Sequence, residues 1–326
     1  MSKAFFLAPM AELSHRALRE LIFSFGGVDE YFTEMINAPT LVSGGALEEY
    51  YIDAEPCPEK VVFQLIGADE ERLAAAAAML DKRDCKGIDI NMGCSAPAIT
   101  HYGAGSAWMI HPEKAWKMAA LVRKSVTKRL SVKLRLGQEE DFESLLTFCK
   151  GLVNEGVELI TLHPRTTKQK LKRRAMWNYV ADLKKELSIP VAGNGDVSSL
   201  SELLSRAEGP WDAVMVGRAA IKSPWIFAAA KAAAGDQSLP VMNSINGFTR
   251  VNLEEIAFRY LDLLEKYQPV EFHKSRAHRF FQYYCGNFVW GNYLFTLIGR
   301  EKDLSAIRKI LKDYFNDHSE EREHTL

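Results

Sequence analysis

No two of the five cysteines (Cys57, Cys85, Cys94, Cys149 and Cys285) form a C-x-x-C pair, and their number is odd. That scatter argues against a disulfide framework and against a metal site, and it suits the reducing cytoplasm. No run approaches the roughly eighteen apolar residues of a membrane span, so no membrane association is expected. The opening stretch, MSKAFFLAPMAEL, has one lysine and an apolar segment too short for a secretory leader, and it reads as a first strand. Neither sign of charge dominates: 41 Lys and Arg face 42 Asp and Glu, so a polyanionic partner has to be met by local clusters. Internal repeats are missing too, and the only compositional bias is alanine in Leu73–Ala78 and Ala228–Ala234. What remains is a 326-residue chain with 47% hydrophobic residues, enough for the core of one large domain or two.

Short β-rich apolar runs recur along the first part, each separated from the next by room for a helix. Strands are expected near Ala4–Pro9, Tyr31–Met35, Val61–Ile66, Gly87–Asn91, Ser131–Leu136, Leu159–His163, Pro190–Gly193 and Ala213–Gly217. Helical patterns such as DEERLAAAAAMLDKR, HPEKAWKMAALVRKS and DFESLLTFCKGLVNEG lie between them, several opening on a capping Asp, Ser or Thr. The alternation predicts an α/β fold, a TIM (β/α)8 barrel, with an open doubly wound sheet as the rival. Past Gly235 the texture changes. GDQSLPVMNSINGFTR reads as a linker, and NLEEIAFRYLDLLEKY, HKSRAHRFFQYYCGNFVW and DLSAIRKILKDYF have helical spacing. We therefore expect a catalytic barrel over residues 1–238 and a small all-α domain over 239–326.

In such a barrel, functional groups stand at the C-terminal ends of the strands. The ends read, in order, APMA (Ala8–Ala11), Gln64, NMGC (Asn91–Cys94), Lys133, HPR (His163–Arg165), GNGD (Gly193–Asp196) and GR (Gly217–Arg218). Each alone is weak, and together they point to one site. Glycines after the last two strands free backbone amides for an anion, and Arg218 adds a guanidinium for a phosphate oxygen. GAGSAW (Gly103–Trp108) lacks the third glycine of a dinucleotide fingerprint and follows a loop, so it is not read as a phosphate cradle. Gln64 offers an amide to a ring edge, and Lys133 and His163 offer charge or donors to an electron-rich ring. This set suits flavin mononucleotide (FMN); spacing alone also leaves open a phosphosugar substrate with no cofactor.

LAPMAELSHRALRE, FQLIGADEERLAAAA, IDINMGCSAPAI followed by GAGSAWM, VKLRLG, LHPRTTKQ followed by AMW, PVAGNGDV and VMVGRAAIKSPWIF resemble, in order and spacing, the tRNA-dihydrouridine synthases. The likeness covers residues 4 to 230 and continues more weakly around FHKSRAHRFFQYY. It implies FMN held by Pro9, Met10, Ala11, Gln64, Lys133, His163, Asn194, Gly195, Asp196, Gly217 and Arg218. It further implies NADPH as reductant, a uridine in tRNA as substrate, and Cys94 as the acid. Reducing the uracil 5,6-double bond needs a hydride at one carbon and a proton at the other. Reduced flavin supplies the hydride, and a thiol, ordinarily protonated at neutral pH, supplies the proton.

Two positions depart from the family: Ser95 stands where proline is usual, and Ala98 where lysine is common. KQKLKRR (Lys168–Arg174) also replaces a segment that often carries an aromatic and a glycine. Its Lys168, Lys170, Lys172, Arg173 and Arg174 are expected to meet the RNA backbone, along with Asn91, Arg135 and Arg165 at the strand ends. HKSRAHRFF (His273–Phe281) interleaves bases with aromatics, which fits RNA contact and helix packing equally. One alternative is an FMN oxidoreductase acting on a free pyrimidine or small enone, as dihydroorotate dehydrogenases do; a helical tail and a basic loop favour RNA. Another is a barrel that binds RNA without catalysis, against which the intact Cys94, Lys133 and His163 stand. A monomer is expected.

Overall fold

In a computed structural model, which describes residues 3–170, 172–236, 244–245 and 248–325, eight strands pair in sequence order and close into a barrel. They are β1 (Ala4–Leu7), β2 (Glu30–Asn37), β3 (Val61–Ile66), β4 (Gly87–Met92), β5 (Arg129–Arg135), β6 (Leu159–His163), β7 (Val191–Asn194) and β8 (Ala213–Val216). All neighbours are parallel, and β1 closes on β8 with Ala4 opposite Ala213 and Leu7 opposite Val216. Closure rules out the open doubly wound sheet. The expected strands all form. Strand β1 stops short of Pro9 because the amide of Ala8 makes the last ladder bond, to Val216 O at 2.8 Å, and proline has none to give.

The helices around the barrel are α1 (Arg16–Phe23), α2 (Ala38–Val42), α3 (Glu70–Asp81), α4 (Pro97–Thr100), α5 (Pro112–Ser125), α6 (Phe142–Asn154), α7 (Asn178–Glu186), α8 (Leu200–Ala207), α9 (Arg218–Lys222) and α10 (Ile226–Ala233). Capping side chains start three of them where the sequence put Asp or Ser: Asp69 takes the Arg72 amide, Asp141 that of Ser144 and Ser199 that of Glu202. One set of inward side chains, Phe6, Ala8, Phe32, Val62, Leu159, Ala192, Ala213 and Met215, fills the barrel interior. A larger apolar layer joins the strands' outer faces to the helices and runs on into the C-terminal part. The barrel is thus a packed plug, and the rim formed by the C-terminal strand ends is where this fold places its ligands.

The C-terminal part carries α11 (Leu253–Tyr267), α12 (Val270–Tyr284), α13 (Gly291–Ile298) and α14 (Leu304–Asp317). Tyr260, Phe280, Phe281, Tyr284 and Phe315 are fully buried there, with Tyr260 and Phe280 stacked at 3.7 Å. Beside the helices stands a short antiparallel sheet that helical spacing did not announce, with β10 (Phe248–Asn252) between β9 (Ser244–Ile245) and β11 (Glu323–Thr325). Two or three ladder pairs per strand are too few to leave an alternation legible in sequence. The expected linker, residues 235–250, and the 238/239 boundary lie largely outside the described residues. Among the described residues no helix is long and apolar enough to cross a membrane.

Candidate active site

The strand ends surround a cavity of about 230 Å³. Ala8, Pro9 and Met10 come from the end of β1, Lys133 from β5, and His163 from β6. Asn194, Gly195 and Asp196 follow β7, and Gly217 and Arg218 follow β8. These residues meet as the sequence required. Gly217 leaves room at the seam of β1 and β8: a Cβ there would sit 3.3 Å from Met10 Sδ, a tight contact that the Met10 side chain would have to yield to. Gly195 has φ +116°, and a Cβ on it would lie 2.9 Å from the His163 ring. Gly193 serves packing instead, since a Cβ there would overlap the Trp177 ring at 2.1 Å.

Ala11 is exposed and does not line the cavity. Gln64 does not line it either, and its amide is engaged by neighbours. Its Nε2 donates to Asp89 Oδ2 at 2.7 Å and its Oε1 accepts from Asn91 Nδ2 at 2.8 Å, which leaves the amide one further N–H donor. Burial raises the Asp89 carboxyl to about 6, against the hydrogen bonds from Ser131 and Gln64.

Asn91 and Arg165 likewise do not stand free for RNA. Asn91 Oδ1 accepts the amides of Gly93 at 3.1 Å and Cys94 at 2.9 Å, so this side chain shapes the cysteine's loop. Arg165 is buried, with Nη2 on Asp196, Nε on the Arg173 carbonyl and Nη1 2.8 Å from His163 Nε2. All three contacts are internal, and they lock the β6 and β7 loops together. Burial works to raise the Asp196 carboxyl, yet the Ala175 amide and Arg165 hold it below the usual carboxylate range. Arg135 ties the Gly93 carbonyl (2.9 Å) to the Lys170 carbonyl (3.0 Å), joining the cysteine's loop to the basic one.

Cys94 is half-buried just past β4. Its carbonyl accepts the Ser106 amide at 2.9 Å. Gly105, at φ +60°, packs so close that a Cβ would be 2.5 Å from that carbonyl. GAGSAW, which the motif test set aside, is therefore the platform under the cysteine. No fingerprint would have revealed it, because the requirement is steric. Ser95 lines a neighbouring cleft with His101 and Lys168, and Ala98 is exposed on α4, whose first residue is Pro97.

Charge at the mouth is positive and largely unpaired. Lys133 has no hydrogen-bond or ion-pair partner among the described residues, and burial together with Arg135 pulls its ammonium down to about 8. Burial first, then Lys133, Arg135, Arg165 and Arg218, keep His163 neutral, well below its ordinary value. With Nε2 facing the Arg165 donor, Nδ1 is the nitrogen left to carry the proton.

Beyond Arg218 a second, open cleft of about 610 Å³ is lined by Lys172, Arg173, Arg174, Arg206, Lys222 and Tyr283 among others. Sequence reading missed Arg206, Lys222 and Tyr283, which stand on three separate elements. The basic run is split by the fold: Lys168 pairs with Glu139 on the surface, Lys170 takes φ +50° in the loop, and only the last three cations face this cleft.

A family model described as Dihydrouridine synthase matches residues 6–315. A probable tRNA-dihydrouridine synthase of Aquifex aeolicus (strain VF5) is 34% identical over 230 residues, covering 68% of this chain and 70% of that protein. The tRNA-dihydrouridine synthase B of Pasteurella multocida (strain Pm70) is 28% identical over 254 residues, covering 77% and 76%. Among solved structures, histamine dehydrogenase from Rhizobium sp. 4-9 superposes with a TM-score of 0.50 at 13% identity, over 79% of this chain and 48% of that one, a likeness of fold.

Proposed function

Because this chain belongs to the dihydrouridine synthase family, we propose that it is a cytoplasmic tRNA-dihydrouridine synthase. In this reading it binds FMN, takes electrons from NADPH and reduces the 5,6-double bond of a uridine in tRNA. The observation that carries the reading is the pairing of an unpartnered Lys133 and Arg218 in one cavity with a cysteine on a rigidly braced neighbouring loop.

The residues present fit the flavin. A phosphate answers Arg218, which makes no direct ion pair among the described residues, although Asp196 lies near enough to feel its charge, beside Gly217. An electron-rich ring answers Lys133 and a donor from neutral His163, and the buried Thr161 hydroxyl has no hydrogen-bond partner among the described residues. When bound, reduced flavin supplies a hydride. The chain's own part is to hold the uracil at the mouth and deliver a proton from Cys94 Sγ to the other carbon of the double bond. Asn91, Gly105 and Ser106 keep that thiol's loop in one place, which is what a proton donor needs. The cleft at Lys172–Arg174 supports a polyanionic substrate over a free pyrimidine, which needs no such cations.

Nucleoside mass spectrometry of tRNA from a strain lacking the gene tests the reading as a whole. Loss of part of its dihydrouridine, restored by the gene, is expected, and an unchanged level refutes it. Two outcomes test the cofactor site. Arg218→Ala is expected to weaken FMN binding by roughly 10- to 100-fold, the worth of one charge-assisted bond; equal affinity by flavin fluorescence would move the phosphate elsewhere. Lys133 loses its proton as pH rises through about 8, so it stabilises negative charge on a ring below that pH and not above. The gap in bound-flavin midpoint potential between wild type and Lys133→Met is thus expected to be wide below about pH 8 and to close above it. A gap that is absent throughout would remove Lys133 from the ring.

A further inference from the structure

The motif HKSRAHRFF is left over by the reading above. Phe280 and Phe281 turn out to be core residues, fully buried against Tyr260 and Tyr284. Its arginines do something else. Arg276, 1% exposed, reaches out of α12 to the barrel wall, where Nη2 lies 2.8 Å from Glu34 Oε2, within β2 where its register against β3 shifts. The guanidinium also lies 4.2 Å from the centre of the Phe272 ring, on its own helix. Glu34 is itself buried, and its second oxygen accepts the backbone amide of Glu12 at 2.5 Å. Three residues on, and so on the same side of the helix, Arg279 Nε stands 3.3 Å from the Glu12 carboxylate.

Glu12 is one of three non-glycine residues with positive φ among the described residues, at +63°, in a turn closed by bonds from the Leu13 and Ser14 amides to the Met10 carbonyl. A glutamate holds that conformation only where its surroundings fix it. The same turn carries Pro9 and Met10, the β1 wall of the cavity, and Met10 is the atom set against Gly217. The bond at the Glu12 amide is thus one of several that hold this turn, beside those at Met10 O and from the Met10 amide to Ser14 Oγ, and it is the one that ties the turn to β2.

We propose that Arg276 is a positioning residue of the cofactor site: acting through Glu34, it fixes the Glu12 amide and with it the Pro9–Met10 wall, so that the helical tail completes the flavin pocket. This rests on the flavin reading given above. A buried pair of this kind does not by itself stabilise a fold over apolar residues of similar volume. That separates positioning from plain stability. Arg276→Met leaves Glu34 buried without its counter-charge, whereas Glu34→Met with Arg276→Met removes both charges together with the acceptor for the Glu12 amide.

The test measures thermal midpoint without flavin, FMN affinity by fluorescence, and the visible circular dichroism of FMN at saturation. The double variant is expected to melt within a few degrees of wild type while binding FMN about tenfold or more weakly, with an altered dichroism of the bound ring. If Arg276→Met folds, it is expected to show the same loss of affinity with a lowered melting point. Affinity and dichroism that return to wild type along with the melting point in the double variant would overturn the proposal and leave Arg276 as packing. Should wild type itself bind no FMN, the flavin reading fails first, and the proposal with it.

Discussion

Replacing Cys94 with alanine is expected to lower dihydrouridine formation by about 10²- to 10⁴-fold, the usual worth of a positioned acid. The substitution removes a donor and little volume. The loop around it is held through backbone groups, by Asn91 at the Cys94 amide and by Ser106 at its carbonyl, so the fold has no reason to change. FMN content and the reduction of flavin by NADPH should survive. Cys94→Ser should recover little, because a hydroxyl is a far weaker acid than a thiol, and for the same reason Ser95 is no substitute. A single turnover of reduced protein with unmodified tRNA decides the matter, and product formed at the wild-type rate by the alanine variant would make Cys94 a packing residue.

The second large effect is expected at the outer cleft. Lys172, Arg173 and Arg174 line it without acidic partners among the described residues, whereas Lys168 of the same run is paired with Glu139. Each phosphate contact releases counterions, so removing three of them should flatten the log–log salt dependence of tRNA binding by roughly 2 to 3. Affinity at moderate salt should fall on the order of 10²-fold. Flavin reduction by NADPH is expected to stay as it was, and Lys168→Ala to have little effect. Filter binding across a salt series reads both, and an unaltered slope in the triple variant would make these cations a solvated surface.

The barrel was legible because its signal is repeated: eight apolar runs, each bounded and each followed by a helical period, point to one answer together. The cavity was legible for a related reason, since the fold rule sends every strand end to the same rim. What the residues do there was less legible. Asn91 and Arg165 have the chemistry of ligand contacts, but a neighbour in space occupies each of them, and sequence spacing does not hold that information. The value of Gly105 is the room its missing Cβ leaves for the Cys94 carbonyl, which no glycine pattern advertises. Glu34 and Arg276 stand 242 residues apart, and sequence spacing holds no sign that two charges so far apart meet in the core. The small sheet at β9–β11 was missed because strands of two to five residues carry almost no alternation.

The closure of the ring has a consequence for the protein's synthesis. Strand β1 leaves the ribosome first, and β8, which covers one of its edges from Ala4 to Leu7, is made roughly 200 residues later. At common elongation rates that interval is about 10 to 40 s. For all of it Phe5, Phe6 and Leu7 present an apolar strand with an unpaired edge, the kind of surface that other nascent chains can join. The ligand cavity has the same timetable, because its walls at Met10 and Gly217 meet only when that last seam shuts. Translation speed and chaperone supply therefore bear on how much of this protein reaches a state able to take up a cofactor at all.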